Sequence, residues 1–157
     1  GDNKLDRVTD DLALLELSQP IRLPSLEPFE TGAAPVQGDP VGVVSYAQYR
    51  EEAPSIQESC EVLAGQRKAL ILTCSVDFGS SGAPVFTFEN GVARVVSVIS
   101  AKAEVDGRKV AVAVPLAEPL VALRAALEDS REGTSREAGP VTVISGGSGA
   151  GAKFVKP

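Results

Sequence analysis

Two short turn sequences set between runs of β-branched residues constrain the fold of this chain most strongly. Asn90-Gly91 separates "APVFTF" from "VARVVSVISA", and Asp106-Gly107 separates that second run from "RKVAVAVPL". Asn-Gly and Asp-Gly are favoured in two-residue type I′ turns, because both central residues of such a turn need a positive φ. The chain from residue 83 to residue 116 is therefore predicted to form two consecutive antiparallel hairpins.

Earlier stretches also have the composition of strands. They are "DLALLELSQPI" (11–21), predicted as a buried strand ending at Pro20, then "VGVVSY" (41–46), "QESCEVL" (57–63) and "KALILTCSV" (68–76). Residues 22–40 contain four prolines and little periodicity, which predicts an extended connector. Many short strands with hairpin turns predict an all-β protein, either a sandwich or a barrel.

The hydrophobic period changes near the C-terminal end. Leucines at 116, 120, 123 and 127 recur at spacings of three and four, which predicts an amphipathic helix over residues 115–132 whose leucine face docks on the protein. Residues 133–157 are rich in Gly and Ser and are predicted to be a flexible tail.

Composition limits the function. The 157 residues suit one domain, and a net charge of −6 does not favour nucleic acid as a partner. No apolar run has the length of a membrane span. The chain contains no histidine and no carboxylate cluster with ligand spacing, so neither a metal nor a cofactor is expected.

The two cysteines, Cys60 and Cys74, lie in strand-like stretches on either side of a glycine-containing turn. A cross-strand disulfide formed in an oxidising compartment is favoured over a pair of buried thiols.

The turn "VDFGSSGAP" (76–84) is the main candidate for chemistry. It is not the G-x-S-x-G elbow of α/β-hydrolases, because Ala83 stands at the last position and a strand follows. It is not a phosphate loop either, because no lysine follows the glycines and no helix begins there. A plain Gly/Ser turn between strands is the simplest structural alternative.

The stretch "GSSGAP" resembles the G-x-S-G-x-P turn of the chymotrypsin/trypsin-like serine proteases. "DLALLEL" (11–17) is similar to the family strand that begins with the triad aspartate, and "VVSVISA" (95–101) resembles the strand that follows the nucleophile. Together with a C-terminal helix, these features stand in the family's order over roughly residues 11–128.

The resemblance implies a role for particular residues. Ser81 would be the nucleophile and Asp11 the triad acid, while the amides of Gly79 and Ser81 would form the oxyanion hole. Ser100 would lie beside the triad. The substrate-binding residues would be Ser75 at the floor of the primary pocket and Ser100, Ala101 and Lys102 on the following strand.

Two departures from the family refine this assignment. Ser80 replaces the aspartate that pairs with a new N-terminus in animal trypsins, so the branch is expected to be the bacterial trypsin-like or V8-like one. The histidine is missing, and so is most of the first barrel that carries it. The expected partner is therefore the N-terminal barrel segment, and the chain alone is expected to be inactive, because a serine hydroxyl without a base is a weak nucleophile.

The resulting prediction is a chymotrypsin-like double antiparallel β-barrel, represented by its second barrel. Residues 1–21 are assigned to the last strands of the first barrel, 22–40 to the inter-barrel connector and 41–114 to the C-terminal barrel; the helix and tail follow. The predicted function is a serine endopeptidase acting on a protein or peptide substrate, periplasmic or secreted. A non-catalytic domain that binds peptides by strand addition, and a purely structural β-domain, are the alternatives.

Overall fold

The structure is a computed structural model that describes residues 11–45, 55–66, 68–75 and 80–132, with the backbone alone for 55–59. The prediction of a flexible tail over residues 133–157 lies outside the described residues. The chain divides into two compact units, one of residues 1–12 and 28–120 and the other of residues 13–27 and 121–157.

The described residues form seven strands and one helix, in this order along the chain. They are β1 (Glu30–Thr31), β2 (Pro40–Ser45), β3 (Ser55–Gln66), β4 (Ala69–Leu72), β5 (Pro84–Glu89), β6 (Val92–Val105), β7 (Arg108–Pro115) and α1 (Ala117–Arg131).

Strands β2 to β7 form a closed antiparallel barrel. The order β6-β5-β2-β3-β4-β7 closes through a further β6–β7 pairing, and β1 adds to β6 in parallel. Closure leaves none of these six strands without two neighbours, which satisfies the backbone hydrogen-bonding groups of the sheet. The protein is therefore built on a chymotrypsin-like barrel followed by a C-terminal helix, as the sequence predicts.

Both predicted hairpin turns are confirmed. Asn90 and Gly91 have φ angles of 52° and 77°, and Asp106 and Gly107 have φ angles of 50° and 75°. Positive φ at both central residues is the geometry of a type I′ turn, which matches the twist of the flanking strands.

The barrel interior is filled by aliphatic side chains of small and medium size. Leu72, Val85, Ala111 and Ala113 are all fully buried in one cluster of the barrel core. Cys60 and Cys74 belong to the same cluster, and they form the predicted disulfide, with Cα atoms 5.0 Å apart.

Residues 11–21 do not form the predicted buried strand. They have no strand geometry, and Leu15 and Leu17 are 73% and 60% exposed. A strand needs a neighbour to pair its backbone groups, and within the described ranges no strand pairs with this segment. The predicted connector also contains one short strand, because Glu30 and Thr31 form β1. The Glu30 carboxylate forms an ion pair with the Arg94 guanidinium, with Oε2 2.5 Å from Nη1.

The second unit contains most of this segment and most of α1. Leu123 and Leu127 lie on the half-buried face of the helix, as the spacing of the leucines predicts. Near the end of the helix the Arg131 guanidinium binds the Glu16 carboxylate, with Nε 3.0 Å from Oε1. The pKa of Arg131 is raised above its ordinary value, first by this hydrogen bond and second by the negative charge of Glu16.

Candidate active site

A tight turn at residues 80–83 presents the predicted nucleophile. The Ala83 amide donates to the Ser80 carbonyl at 3.0 Å, and Gly82 has a φ of 85°. A positive φ at the third residue is typical of a type II turn and favours glycine there. Ser81 therefore lies at the exposed tip of the turn, whereas Ser80 is only 2% exposed.

Two backbone hydrogen bonds attach this turn to β6. The Gly82 amide donates to the Ile99 carbonyl at 2.7 Å, and the Ile99 amide donates to the Ala83 carbonyl at 2.9 Å. The position of Ser81 is thus set by the barrel strand that leads to Ser100.

A β-bulge places Ser100 next to the turn. Ile99 pairs with Ala113 and Ala101 pairs with Val112, so Ser100 is an extra residue on β6 with no partner on β7. Bulges of this kind redirect a side chain and leave a backbone group out of the ladder. The carbonyl and the hydroxyl of Ser100 are both used in the site.

Ser100 links the predicted nucleophile to the predicted acid. The Ser81 hydroxyl donates to the Ser100 carbonyl at 3.2 Å, and the Ser100 hydroxyl donates to Asp11 Oδ2 at 2.6 Å. Residues that are 89 positions apart in the sequence therefore meet at one exposed site.

The chemistry of this arrangement is incomplete in one respect. The Ser81 hydroxyl donates its hydrogen bond to a carbonyl oxygen, and a carbonyl oxygen cannot act as a general base at neutral pH. Since the sequence contains no histidine, the chain holds a hydroxyl nucleophile and a carboxylate but no imidazole to join them.

Other predicted site residues are only partly described. Gly79 lies outside the described residues, so the predicted oxyanion hole stays a prediction. Ser75 and Lys102 are exposed and Ala101 is half-buried. The assignment of these residues to a primary pocket also stays a prediction, because residues 76–79 between Ser75 and the turn are not described.

Two features of the site were not predicted from the sequence. One is the bulge at Ser100, for which a strand sequence carries no clear signal. The other is the contact of the buried Ser80 hydroxyl with Ser45 Oγ at 3.4 Å, which brings the end of β2 to the turn. A serine in place of the family's aspartate was the available hint that this residue has a different partner.

Two further kinds of site are absent from the part of the chain that the structure describes. No group of His, Cys, Asp or Glu there could hold a metal ion, and no helix there is long and apolar enough to cross a membrane.

Comparison with known families identifies the class of protein to which the chain belongs. The sequence model described as "Trypsin-like peptidase domain" matches residues 3–98, more than half of the 157 residues, including Asp11 and Ser81. The chain belongs to the trypsin-like peptidase domain family. No curated protein gave a significant match. Membership of this family supports a protease-type enzyme.

Proposed function

We propose that this protein is a serine endopeptidase in which Ser81 is the nucleophile and Asp11 the triad acid. The observation that carries the proposal is the hydrogen-bonded series from Ser81 through Ser100 to Asp11. Family membership supports the class of enzyme, and this hydrogen-bonded series supports the proposed roles of these two residues.

The missing base would come from a histidine outside these 157 residues. Its imidazole would accept the Ser81 proton as the hydroxyl attacks a peptide carbonyl, and Asp11 would hold the imidazole in the correct tautomer. The amides of Gly79 and Ser81 would stabilise the oxyanion. The imidazolium would then protonate the leaving amine, and water would hydrolyse the acyl-enzyme.

Exposed apolar side chains in the second unit support such a partner. Within residues 13–27 five large aliphatic side chains are more than half exposed, and they are Leu15, Leu17, Ile21, Leu23 and Leu26. Large exposed apolar side chains this close together in the sequence are candidates for an interaction site. The proposed occupant is the N-terminal barrel segment that carries the histidine, so the chain alone would be inactive.

The substrate would lie along β6 beyond the catalytic turn. The pairing of β5 with β6 ends at Pro84 and Val98, just before the bulge at Ser100. An extended peptide can add to the edge of a strand through backbone hydrogen bonds. The side-chain pocket would be formed by Ser75, Ala101 and Lys102.

A neutral floor at Ser75 disfavours substrates with basic side chains. A small or apolar side chain before the cleaved bond is favoured over an acidic one, which Lys102 would attract. Peptide-library profiling of the active protein checks this mapping, and dominant cleavage after Arg or Lys would show that it is wrong.

The disulfide supports an oxidising location. Both sulfur atoms lie in the barrel core, and bonds of this kind form in secreted or periplasmic proteins. We therefore place the proposed protease outside the cytoplasm.

Peptide hydrolysis by two forms of the protein tests the proposal. The 157-residue chain should not cleave casein, whereas a form extended on its N-terminal side by the histidine-bearing segment should. In the extended form Asp11→Asn should lower kcat by about 10⁴-fold, as loss of the triad acid does in this type of enzyme. Asp10→Asn is the matched control and should leave kcat unchanged. Equal kcat values for the two variants would overturn the assignment of Asp11.

A non-catalytic peptide-binding domain is the second candidate. It is favoured by the absence of histidine and by the Ser81 hydroxyl being engaged with a carbonyl oxygen. An extended form whose first barrel is intact but has another residue in place of the histidine, and which binds peptides without cleaving them, would establish this alternative.

A further inference from the structure

A buried serine stands directly before the proposed nucleophile and contacts a second strand of the barrel. Ser80 is buried, and its hydroxyl donates to Ser45 Oγ at 3.4 Å. A buried hydroxyl without a hydrogen-bond partner is costly, so the Ser45 oxygen stabilises the position of this side chain. The contact joins the turn of residues 80–83 to the end of β2.

The sheet register explains why Ser45 reaches this turn. Val43 of β2 pairs with Val85 of β5, and the two strands are antiparallel. Two residues further along β2, Ser45 is therefore level with Ala83, the last residue of the turn. Side chains alternate along a strand, so Ser45 lies on the same face as Val43, which is buried in the barrel core. Register and alternation together bring the Ser45 hydroxyl to the buried Ser80.

Backbone hydrogen bonds hold the turn on the side that follows Ser81. The Gly82 amide donates to the Ile99 carbonyl and the Ile99 amide to the Ala83 carbonyl, which joins these residues to β6. The Ser80 hydroxyl makes a side-chain contact on the other side of Ser81, and this contact goes to β2. Two strands of the barrel therefore hold the chain on either side of Ser81.

The direction of the Ser81 amide follows from the position of Ser80. The Ser80 carbonyl and the Ser81 N–H belong to one planar trans peptide unit, in which they point in opposite directions. The same carbonyl accepts the Ala83 amide at 3.0 Å. A rotation of Ser80 would therefore redirect the Ser81 N–H and weaken the hydrogen bond of the turn at the same time.

We propose that Ser45 is a positioning residue for the reaction of Ser81. By accepting the Ser80 hydroxyl, it fixes the peptide unit whose N–H would donate to the oxyanion. This inference rests on the proposed function, and it adds a residue of β2 to the groups on which the chemical step depends. Ser45 itself would touch no substrate, so its loss should affect the chemical step more than substrate binding.

Amide exchange in the 157-residue chain tests the contact without any catalysis. Followed by NMR, the Ala83 amide should exchange about fivefold faster in Ser45→Ala, because its acceptor, the Ser80 carbonyl, is held less firmly. The Leu116 amide, which donates to Val96 elsewhere in the barrel, should exchange at an unchanged rate if the variant is folded. Ser45→Thr keeps the hydroxyl and should restore slow exchange of the Ala83 amide.

Another buried serine provides a matched control. Ser97 is fully buried on β6, and its hydroxyl has no hydrogen-bond partner among the described residues. Ser97→Ala removes the same chemical group without breaking a hydrogen bond, so it should leave the Ala83 exchange rate unchanged. An unchanged Ala83 rate in Ser45→Ala would overturn the proposal, whatever the activity of the extended form.

Steady-state kinetics of the form extended by the histidine-bearing segment test the effect on the reaction. Ser45→Ala should lower kcat by about tenfold to a hundredfold and change KM by less than about twofold, and Ser45→Thr should recover most of the loss. Ser45→Ala/Ser80→Ala should lose no more than Ser45→Ala, because both remove the same contact. Fluorophosphonate labelling of Ser81 should be slower in these variants but not abolished.

The outcomes distinguish this inference from the proposed function. An unchanged kcat in Ser45→Ala, in an extended form that hydrolyses peptides through Ser81, would overturn the role of Ser45 and leave the proposed function intact. Equal losses of kcat in Ser45→Ala and Ser45→Thr would also overturn it. An extended form that hydrolyses no peptide would overturn the proposed function and with it the role of Ser45 in catalysis, while the exchange rates still decide whether Ser45 holds the turn.

Discussion

The closed barrel and the segment of residues 11–27 have similar apolar patterns but opposite burial. In the barrel Leu72 and Val85 are fully buried, whereas Leu15 and Leu17 of the segment are mostly exposed. Each barrel strand has two hydrogen-bonded neighbours, and within the described ranges residues 11–27 pair with no strand. An apolar pattern thus predicts which side chains can be buried, but burial itself requires a neighbouring element.

The candidate site combines residues of the barrel with one residue from outside it. The barrel alone supplies the turn of Ser81 and the bulge of Ser100, and both are fixed by backbone hydrogen bonds to neighbouring strands. Asp11 comes from outside the barrel and is held by its hydrogen bond from the Ser100 side chain. The barrel thus positions the proposed nucleophile, Ser81, whereas the proposed acid, Asp11, is attached to the barrel through the Ser100 side chain.

Truncating one leucine in each region gives the largest expected contrast. Leu72→Ala should lower the free energy of unfolding by about 2–5 kcal/mol, because it leaves a cavity in the barrel core. Leu17→Ala should change it by less than about 0.5 kcal/mol, as exposed substitutions do. Urea denaturation of both variants measures the difference. Similar losses for the two would mean that the segment is packed in solution.

Removing the disulfide tests how far the barrel depends on its covalent link. The double variant Cys60→Ala/Cys74→Ala removes a cross-link between residues that are 14 positions apart in the sequence. This should lower the free energy of unfolding by about 3 kcal/mol. Thermal unfolding followed by circular dichroism gives the value. An unchanged melting temperature would show that the link adds nothing to the hydrogen-bonded sheet.

A smaller effect is expected in the turn of residues 80–83, which presents Ser81. Gly82→Ala should lower the free energy of unfolding by about 1–2 kcal/mol, because a side chain at a φ of 85° is strained. A Cβ at this position would meet no atom within 4 Å, so the cost comes from the backbone alone. Gly82→Asn, which tolerates positive φ better, should lose less; an equal loss would point to a steric cause.

The smallest effect is expected at the exposed ion pair of the second unit. Glu16→Gln removes the charge that binds Arg131, and surface pairs of this kind contribute little to stability. The melting temperature at physiological salt should not change measurably. A clear drop would indicate that this pair holds the segment more firmly than its exposure suggests.

The two hairpins, the helix and the turn of residues 80–83 could be predicted because residues close together in the sequence determine them. Asn90-Gly91 and Asp106-Gly107 fix their turns through positive φ, and the leucine spacing determines the helix. The wrong prediction, a buried strand over residues 11–21, concerned a segment whose burial depends on distant neighbours.

The candidate site also has features that could be predicted from local sequence and features that could not. Motif order predicted that Asp11, Ser81 and Ser100 lie near one another, and hydrogen bonds connect them in the structure. The bulge at Ser100 could not be predicted, because it arises from the register between β6 and β7. The Ser80–Ser45 contact also joins residues 35 apart and has no local signal.

Covalent labelling by a fluorophosphonate, located by mass spectrometry, tests the central claim most directly. The 157-residue chain should not be labelled, whereas the form extended by the histidine-bearing segment should be labelled at Ser81. Labelling should disappear in Ser81→Ala and persist in Ser80→Ala. Labelling of the extended form that survives Ser81→Ala would contradict the account.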